Sequence, residues 1–523
     1  MKIHNHSQVK RQAKYIPSLA LVAVSLLAAG KADAASFSFT TIADSIQNAG
    51  NANSFVSFGR GLGAEGSWKS DYDLAFGSSQ YGISISNSGR VAYYAKTKDG
   101  VEGIYSGTGL SYLDNPSDFR TIARTDDIYK SFGQGISINN SLGGKDREDV
   151  AFFATLDNGE NGIYLVKNGQ ANLRTNIVNT GGILSGFAPG LSLNDNNTVA
   201  FLANLDSGGQ EIFKSDGTTT TQITHCATNS LSLECPLLKV SQEENSPSIN
   251  NDGTVAFASE NGVFTGDGGP VSIIVSDPDN LQKGSYREAN INNSGFVSAL
   301  TYNGGINNGD SVLSHQGGHI IFSSDGYDGS IIVGNNRTSN RASDFWYVGT
   351  SSINNNGNVA FLGRKVLDYD QGKHEIGIYT GRDAAKDKVI GVGDYLLGAN
   401  GNRIVNSPIV DLSFDRQSLN DSGEIAFWAK FANGVEGIYR SNPFGTSQFN
   451  PWMPNCEVKN GSIYSFCDVT GRNWYDPPTT DGFSYKTNDE SLFTSILDLP
   501  STFENPFTVS VGDIILGEFG SGE

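Results

Sequence analysis

The sequence predicts an all-β protein: a seven-bladed β-propeller of about 56-residue repeats, with a small C-terminal β-sandwich-like module. Three observations predict it. An apolar strand, a turn, a second apolar strand and a third strand, often Gly-Ile-Tyr, recur seven times. The Val or Ile of the second strand falls at Val91, Val150, Val199, Val255, Val297, Val359 and Ile425. Those marks are spaced by about 56 residues on average, within reach of propeller and solenoid repeats. Most copies continue into a fourth β-branched run, and four short strands are the content of a propeller blade.

Taken in order, residues 1–34 read as a secretory signal. Lys10, Arg11 and Lys14 form its basic region, Ile16 to Ala29 its apolar one, and Ala32-Asp33-Ala34 a small-residue cleavage site. The apolar stretch is too short to span a bilayer comfortably, and no other segment approaches that length. Residues 35–441 are expected to form the propeller. Within each unit the turn has a mechanism: in Asn250-Asn251-Asp252-Gly253 the first Asn suits position i of a type I turn and Gly the αL position after it. The third copy places Asn197 where Gly is expected, and Asn is the next residue most tolerant of αL. Val255 and Phe257 face one side of their strand and Ala256 the other, as stacked sheets require. The third strands are Gly103-Ile104-Tyr105, Gly162-Ile163-Tyr164, Gly377-Ile378-Tyr379 and Gly437-Ile438-Tyr439. The seventh unit has no evident fourth strand, and an orphan strand, Thr40 to Ala43, precedes the first unit. It is expected to pair onto the last blade and close the ring. Residues 442–455 read as a linker and 456–523 as the small β module, with period-two strands at Leu492 to Ile496 and Phe507 to Val511.

The motif Asn-x-x-Gly-x-x-Ala-Phe stands whole at Asn250 to Phe257, Asn354 to Phe361 and Asn420 to Phe427. It resembles that of an exported bacterial tandem-repeat family described as choice-of-anchor, whose members end in different surface-sorting tails. The resemblance covers roughly residues 40–439. It implies the fold and an exported location, and it carries no established activity. The chain stops at Gly520-Ser521-Gly522-Glu523 without an apolar anchor helix or basic tail, so free secretion and a truncated reading frame both stand as expectations.

The formal charge of −19 becomes −23 once residues 1–34 leave, because they carry five cations and one anion. That excludes nucleic acid, whose binding rests on basic patches, and leaves room for loosely held divalent cations such as calcium. Four cysteines fall as two close pairs, Cys226 with Cys235 and Cys456 with Cys467. In an exported chain such spacing favours disulfides over a metal site.

No Gly-x-Ser-x-Gly elbow, HExxH or P-loop appears, and no catalytic residue is assigned. His315 and His319 sit around a Gly-containing turn, and Asp277 to Asn280 and Asp325 to Gly329 hold only fragments of calcium-loop spacing. Trp346 and Tyr347, in the long insertion before the sixth unit, are the candidate ligand contacts, since sugars stack on exposed aromatic faces. The expected function is a secreted, non-catalytic binding or scaffold protein that recognises an extracellular glycan or protein on the propeller's loop face, with no resident cofactor. A secreted hydrolase or lyase acting on polysaccharide or phosphoester with acids at the channel is the alternative, and a structural matrix component a third.

Overall fold

The computed structural model describes residues 37–443 apart from 47–54, 60–81, 110–117, 141–146, 227–245, 260–261, 277–284, 303–305, 309–310, 314–318, 327–328, 335–343 and 369–370. It also describes two short paired strands, Val458–Lys459 and Ser462–Ile463. The rest of the expected C-terminal module, and the expected signal, lie outside the described residues.

The chain is all-β, with only two 3₁₀ turns among the described residues. Two strands come first, β1 (Phe37–Asp44) and β2 (Phe55–Phe58). Four-stranded antiparallel units then follow one another. Unit 1 holds β3 (Ile83–Ile85), β4 (Val91–Thr97), β5 (Glu102–Gly107) and β6 (Arg120–Arg124), and β2 also pairs with β4. Unit 2 holds β7 (Tyr129–Ile138), β8 (Val150–Leu156), β9 (Asn161–Val166) and β10 (Arg174–Asn179). Unit 3 is β11 (Leu184–Leu193), β12 (Val199–Leu205), β13 (Gln210–Ser215) and β14 (Thr220–Gln222); unit 4 is β15 (Ser248–Ile249), β16 (Val255–Ser259), β17 (Gly262–Gly266) and β18 (Ser272–Ser276). Unit 5 runs β19 (Ser285–Ile291), β20 (Val297–Tyr302), then a hairpin of β21 (Ile306–Asn308) and β22 (Ser311–Leu313) that pairs back onto β18, then β23 (His319–Ser324) and β24 (Gly329–Gly334). Unit 6 is β25 (Phe345–Ile353), β26 (Val359–Asp368), β27 (Lys373–Tyr379) and β28 (Lys388–Gly391). Unit 7 has β29 (Ile409–Leu419), β30 (Ile425–Phe431) and β31 (Glu436–Pro443), and its fourth strand is β1, which lies antiparallel to β31 with Thr40 opposite Arg440.

The alternation of side chains explains how units stack. On β8, Val150, Phe152 and Ala154 bury against Ala92, Tyr94 and Ile104 of unit 1, while Ala151 and Phe153 bury against Leu191, Val199 and Phe201 of unit 3. The same division recurs along the chain: Val255 and Phe257 join unit 3, Ala256 and Ala258 join unit 5. The last core closes the series, with Ala426, Trp428 and Ile438 of unit 7 and Ile42 of β1 packed on Ile83, Tyr93 and Tyr105 of unit 1. A strand buried on both faces can satisfy its backbone only within its own sheet, which the ladders do.

The Gly-Ile-Tyr signature has a steric cause. The Tyr leans back along its strand over the Gly two residues before it: a Cβ at Gly103 would lie 2.7 Å from the Tyr105 hydroxyl, and one at Gly377 only 3.0 Å from the Tyr379 ring. At the turns Gly253, Gly295, Gly357 and Gly423 take φ of 77–84°, and Asn197 takes φ 62° in the same place, so αL is the conformation this turn demands.

Candidate functional site

The first strands of the seven units touch their neighbours in sequence, and β29 meets β3 in one parallel pairing, Gln417 with Ser84. They enclose a central cavity of about 130 Å³. Its wall is layered by position in the repeat.

The outermost layer is made by the residue after the motif Asn. Each of these residues donates its backbone N–H to the side-chain oxygen of its counterpart in the next unit: Asn87 to Asn140 (2.6 Å), Asn140 to Asp195 (2.7 Å), Asp195 to Asn251, Asn251 to Asn293, Asn293 to Asn355 (2.9 Å each), Asn355 to Asp421 (2.8 Å) and Asp421 to Asn87 (2.9 Å). The seventh bond returns to the start.

Beneath it lies the motif Asn itself. In Asn354 the carboxamide oxygen accepts the N–H of Asn356 and Asn358, holding its own turn, and its NH2 donates to the Asn420 carbonyl of the next unit at 2.9 Å. Asn194, Asn250, Asn292 and Asn420 reach forward in the same way, Asn420 to Ser86. One side chain therefore fixes the turn and joins two units, a pair of tasks that neither Asp nor Ser can do alone.

Next come Ile85, Ile138, Leu193, Ile249, Ile291, Ile353 and Leu419, an aliphatic collar, and then a serine layer. Ser84, Ser137, Ser192, Ser248 and Ser352 each accept an amide N–H from the following unit, from Ile138, Leu193, Ile249, Ile291 and Leu419. Unit 5 has Asn290 there, whose NH2 donates to the Glu288 and Ser351 carbonyls.

The floor is asymmetric. At the two positions before the serine, unit 7 carries Arg416 and Gln417 where units 1–3 have Gly followed by Ile or Leu. Arg416 crosses the channel and donates to the backbone oxygens of Ser246 and Pro247 in unit 4, the latter at 3.0 Å. Gln417 accepts the hydroxyls of Ser84 (3.0 Å) and Ser137 (2.6 Å) and donates to the Leu191 carbonyl at 2.9 Å. Beside them Asp415 is buried against unit 1, accepting the N–H of Gly82 and Ile83. Burial raises its carboxyl from 3.8 to about 7 against the opposing pull of the Arg416 backbone and charge.

Trp346 and Tyr347 do not lie in an insertion. They belong to the start of β25, at a bulge between Phe345 and Tyr347, because Phe345 and Val348 are core residues that fix the strand there. Both are half-buried, with rings 6.4 Å apart and tilted by 29°, and the Arg364 guanidinium lies 5.9 Å from the Tyr347 ring. They sit at the strand end remote from the Asn turns. Cys226 is buried in the core between units 3 and 4; Cys235, Cys456 and Cys467 lie outside the described residues. Among the described residues no three His, Cys, Asp or Glu side chains come together as a metal site would need. The serine layer, the collar and the Arg416–Gln417 floor were not singled out by sequence reasoning. Their signal is the Ser-Ile-Asn or Ser-Leu-Asn before the turn in units 2, 3, 4, 6 and 7, and the Arg416-Gln417 that stands ahead of it in unit 7.

The sequence pattern of a family of unknown function, DUF7453, matches residues 180–410, from the approach to unit 3 as far as the start of β29. Comparison with curated proteins found no match. Among solved structures the chain is similar to a puromycin-hydrolyzing peptidase of Mycobacterium tuberculosis, at 11% identity and TM-score 0.37, covering 73% of this chain and 56% of that one. The chain thus spans little more than half of that peptidase. It is also similar to the β-propeller domain of the Trilobed protease from Pyrococcus furiosus (10% identity, TM-score 0.34, 59% of this chain and 83% of that one). A third is the BP39L lectin from Burkholderia pseudomallei (11% identity, TM-score 0.31, 70% and 99%).

Proposed function

We propose that residues 35–441 form a seven-bladed β-propeller, exported after loss of the signal at 1–34, that serves as a non-catalytic binding or scaffold protein. The observation that carries this reading is the layered channel. Its Asn and Asp rings and its Gln417 brace are spent on holding the units to one another, an arrangement suited to a rigid platform. The partner is an extracellular glycan or protein, met on the face remote from the Asn turns, where Trp346 and Tyr347 lie. An exported chain also supports pairing of Cys226 with Cys235 and of Cys456 with Cys467.

The test is a broad glycan array probed with the chain from Ala35 onward, with and without calcium, beside the Trp346→Ala/Tyr347→Ala double variant. Selective binding that the double variant loses supports the reading. Silence from the wild type under both conditions removes the glycan and leaves a protein partner. Cleavage of a bound sugar would overturn the non-catalytic assignment.

A further inference from the structure

The wall of the central cavity is mostly polar, and its unused hydrogen-bonding groups lie along one arc. In units 1 and 2 the serine layer is spent, because the Ser84 and Ser137 hydroxyls donate to Gln417. In units 3, 4 and 6 it is not. Ser192, Ser248 and Ser352 are nine-tenths or more buried, and each accepts one backbone N–H. Their own hydroxyl hydrogens meet no acceptor among the described residues.

Unit 5 supplies the complement. Both amide hydrogens of Asn290 go to carbonyls, Glu288 at 3.1 Å and Ser351 at 2.8 Å, which fixes the orientation of the carboxamide. Its Oδ1 accepts no hydrogen bond among the described residues, although Asn290 is 4% exposed and lines the cavity. Four consecutive units therefore present a donor, a donor, an acceptor and a donor.

The floor adds no charge for a guest to pair with. Arg416 and Glu288 each stand two residues before the serine position of their units, Asp415 is next to Arg416, and all three are buried. Two carboxylates thus stand with one guanidinium, so an anion finds no spare cation, and a cation meets hydroxyl hydrogens where it needs lone pairs. An apolar guest would strand the same groups away from water. What remains is a neutral guest that both donates and accepts. A hydroxyl does both at one atom, and neighbouring hydroxyls on a short carbon chain can serve neighbouring units. At about 130 Å³ the cavity falls below the roughly 300–1,000 Å³ of ordinary ligand pockets, which limits the guest to a handful of heavy atoms.

We propose that the central cavity binds a small neutral polyol, a vicinal diol or triol of about three carbons. Its hydroxyls accept from Ser192, Ser248 and Ser352 and donate to Asn290 Oδ1. One guest in place of several waters returns their freedom to the solvent. The site is separate from the Trp346–Tyr347 face and stands or falls without it.

The experiment is ligand-observed saturation-transfer NMR of the chain from Ala35 onward with glycerol. The controls are 1,3-propanediol, which lacks the middle hydroxyl, and sucrose, which is too large to enter. Saturable transfer to glycerol in the millimolar range is expected of so small a guest, alike at low and high salt, with several-fold weaker transfer to 1,3-propanediol and none to sucrose. Ile291→Phe, which fills the cavity, should abolish it, and Ser192→Ala should weaken it by about fivefold. Ser192→Ala keeps the test intact if Ile291→Phe does not fold. Transfer that never saturates, that 1,3-propanediol matches, or that persists unchanged in either folded variant overturns the proposal.

Discussion

Replacing Asn354 by Ala tests the link between the repeat motif and the ring. Asn354 is 3% exposed, and its side chain makes three hydrogen bonds: two accepted from Asn356 and Asn358, one donated to Asn420 of the next unit. A net bond contributes about 1 kcal/mol, and a partner stranded away from water costs about 1–3 kcal/mol. The Asn358 amide and Asn420 carbonyl are buried and the Asn356 amide is partly wet, so the expected loss is about 3 kcal/mol. Two comparisons separate the contributions. Asn354→Asp keeps both accepted bonds and loses the forward donor, which should cost about 1–2 kcal/mol. Asn293→Ala removes one acceptor at an exposed site, the bond from the Asn251 amide, and should cost below about 1 kcal/mol. The assay is urea unfolding of the chain from Ala35, comparing midpoints at unchanged slope. If Asn354→Ala unfolds within about 0.5 kcal/mol of Asn293→Ala, the motif Asn is a turn former alone and the inter-unit account is wrong.

Three further outcomes follow from the same packing. Gly377→Ala should destabilise by about 2 kcal/mol or more because its Cβ would meet the Ile390 carbonyl at 2.8 Å, whereas Tyr379→Phe should be neutral or slightly stabilising because the Tyr379 hydroxyl is buried without a hydrogen bond; thermal midpoints of both check this. Asp415 holds its proton more firmly folded than unfolded, so its contribution is complete below about pH 4 and is lost as pH rises through 7, a span worth roughly 4 kcal/mol; Asp415→Asn should flatten urea midpoints across that window, and an unchanged slope would refute it. Ile42→Asp, on β1 in the core between units 7 and 1, should cost about 3 kcal/mol or more by circular dichroism melting.

Much of the fold was legible because the repeat prints its mechanism at every copy. The large-small alternation of Val255, Ala256 and Phe257 is the division of one strand between two cores, and Asn197 in a glycine position announces φ 62°. The channel was less legible. A serine two residues before an Asn reads as ordinary strand polarity, and its meaning appears only when neighbouring strands bring Ser248 under the amide of Ile291. Trp346 and Tyr347 were misplaced for a related reason: the bulge that lets Phe345 start β25 leaves no mark in a short window, so an aromatic strand looked like part of a loop. Arg416 was illegible because its partners lie 170 and 169 residues away in sequence.

The pairing of β1 with β31 sets an order of events. The first described strand to leave the ribosome waits for the last, since Thr40 and Arg440 cannot meet until all seven repeats exist. Until then Phe37 and Phe39 have no partner strand, and each finished unit exposes one unmatched face to the next. Local hairpins form quickly, but the closing contact spans nearly the whole propeller and is the slowest kind of contact to make. Assembly should therefore be progressive along the chain and final only at its end. A chain stalled one repeat short would present a sticky edge at both ends of an open arc.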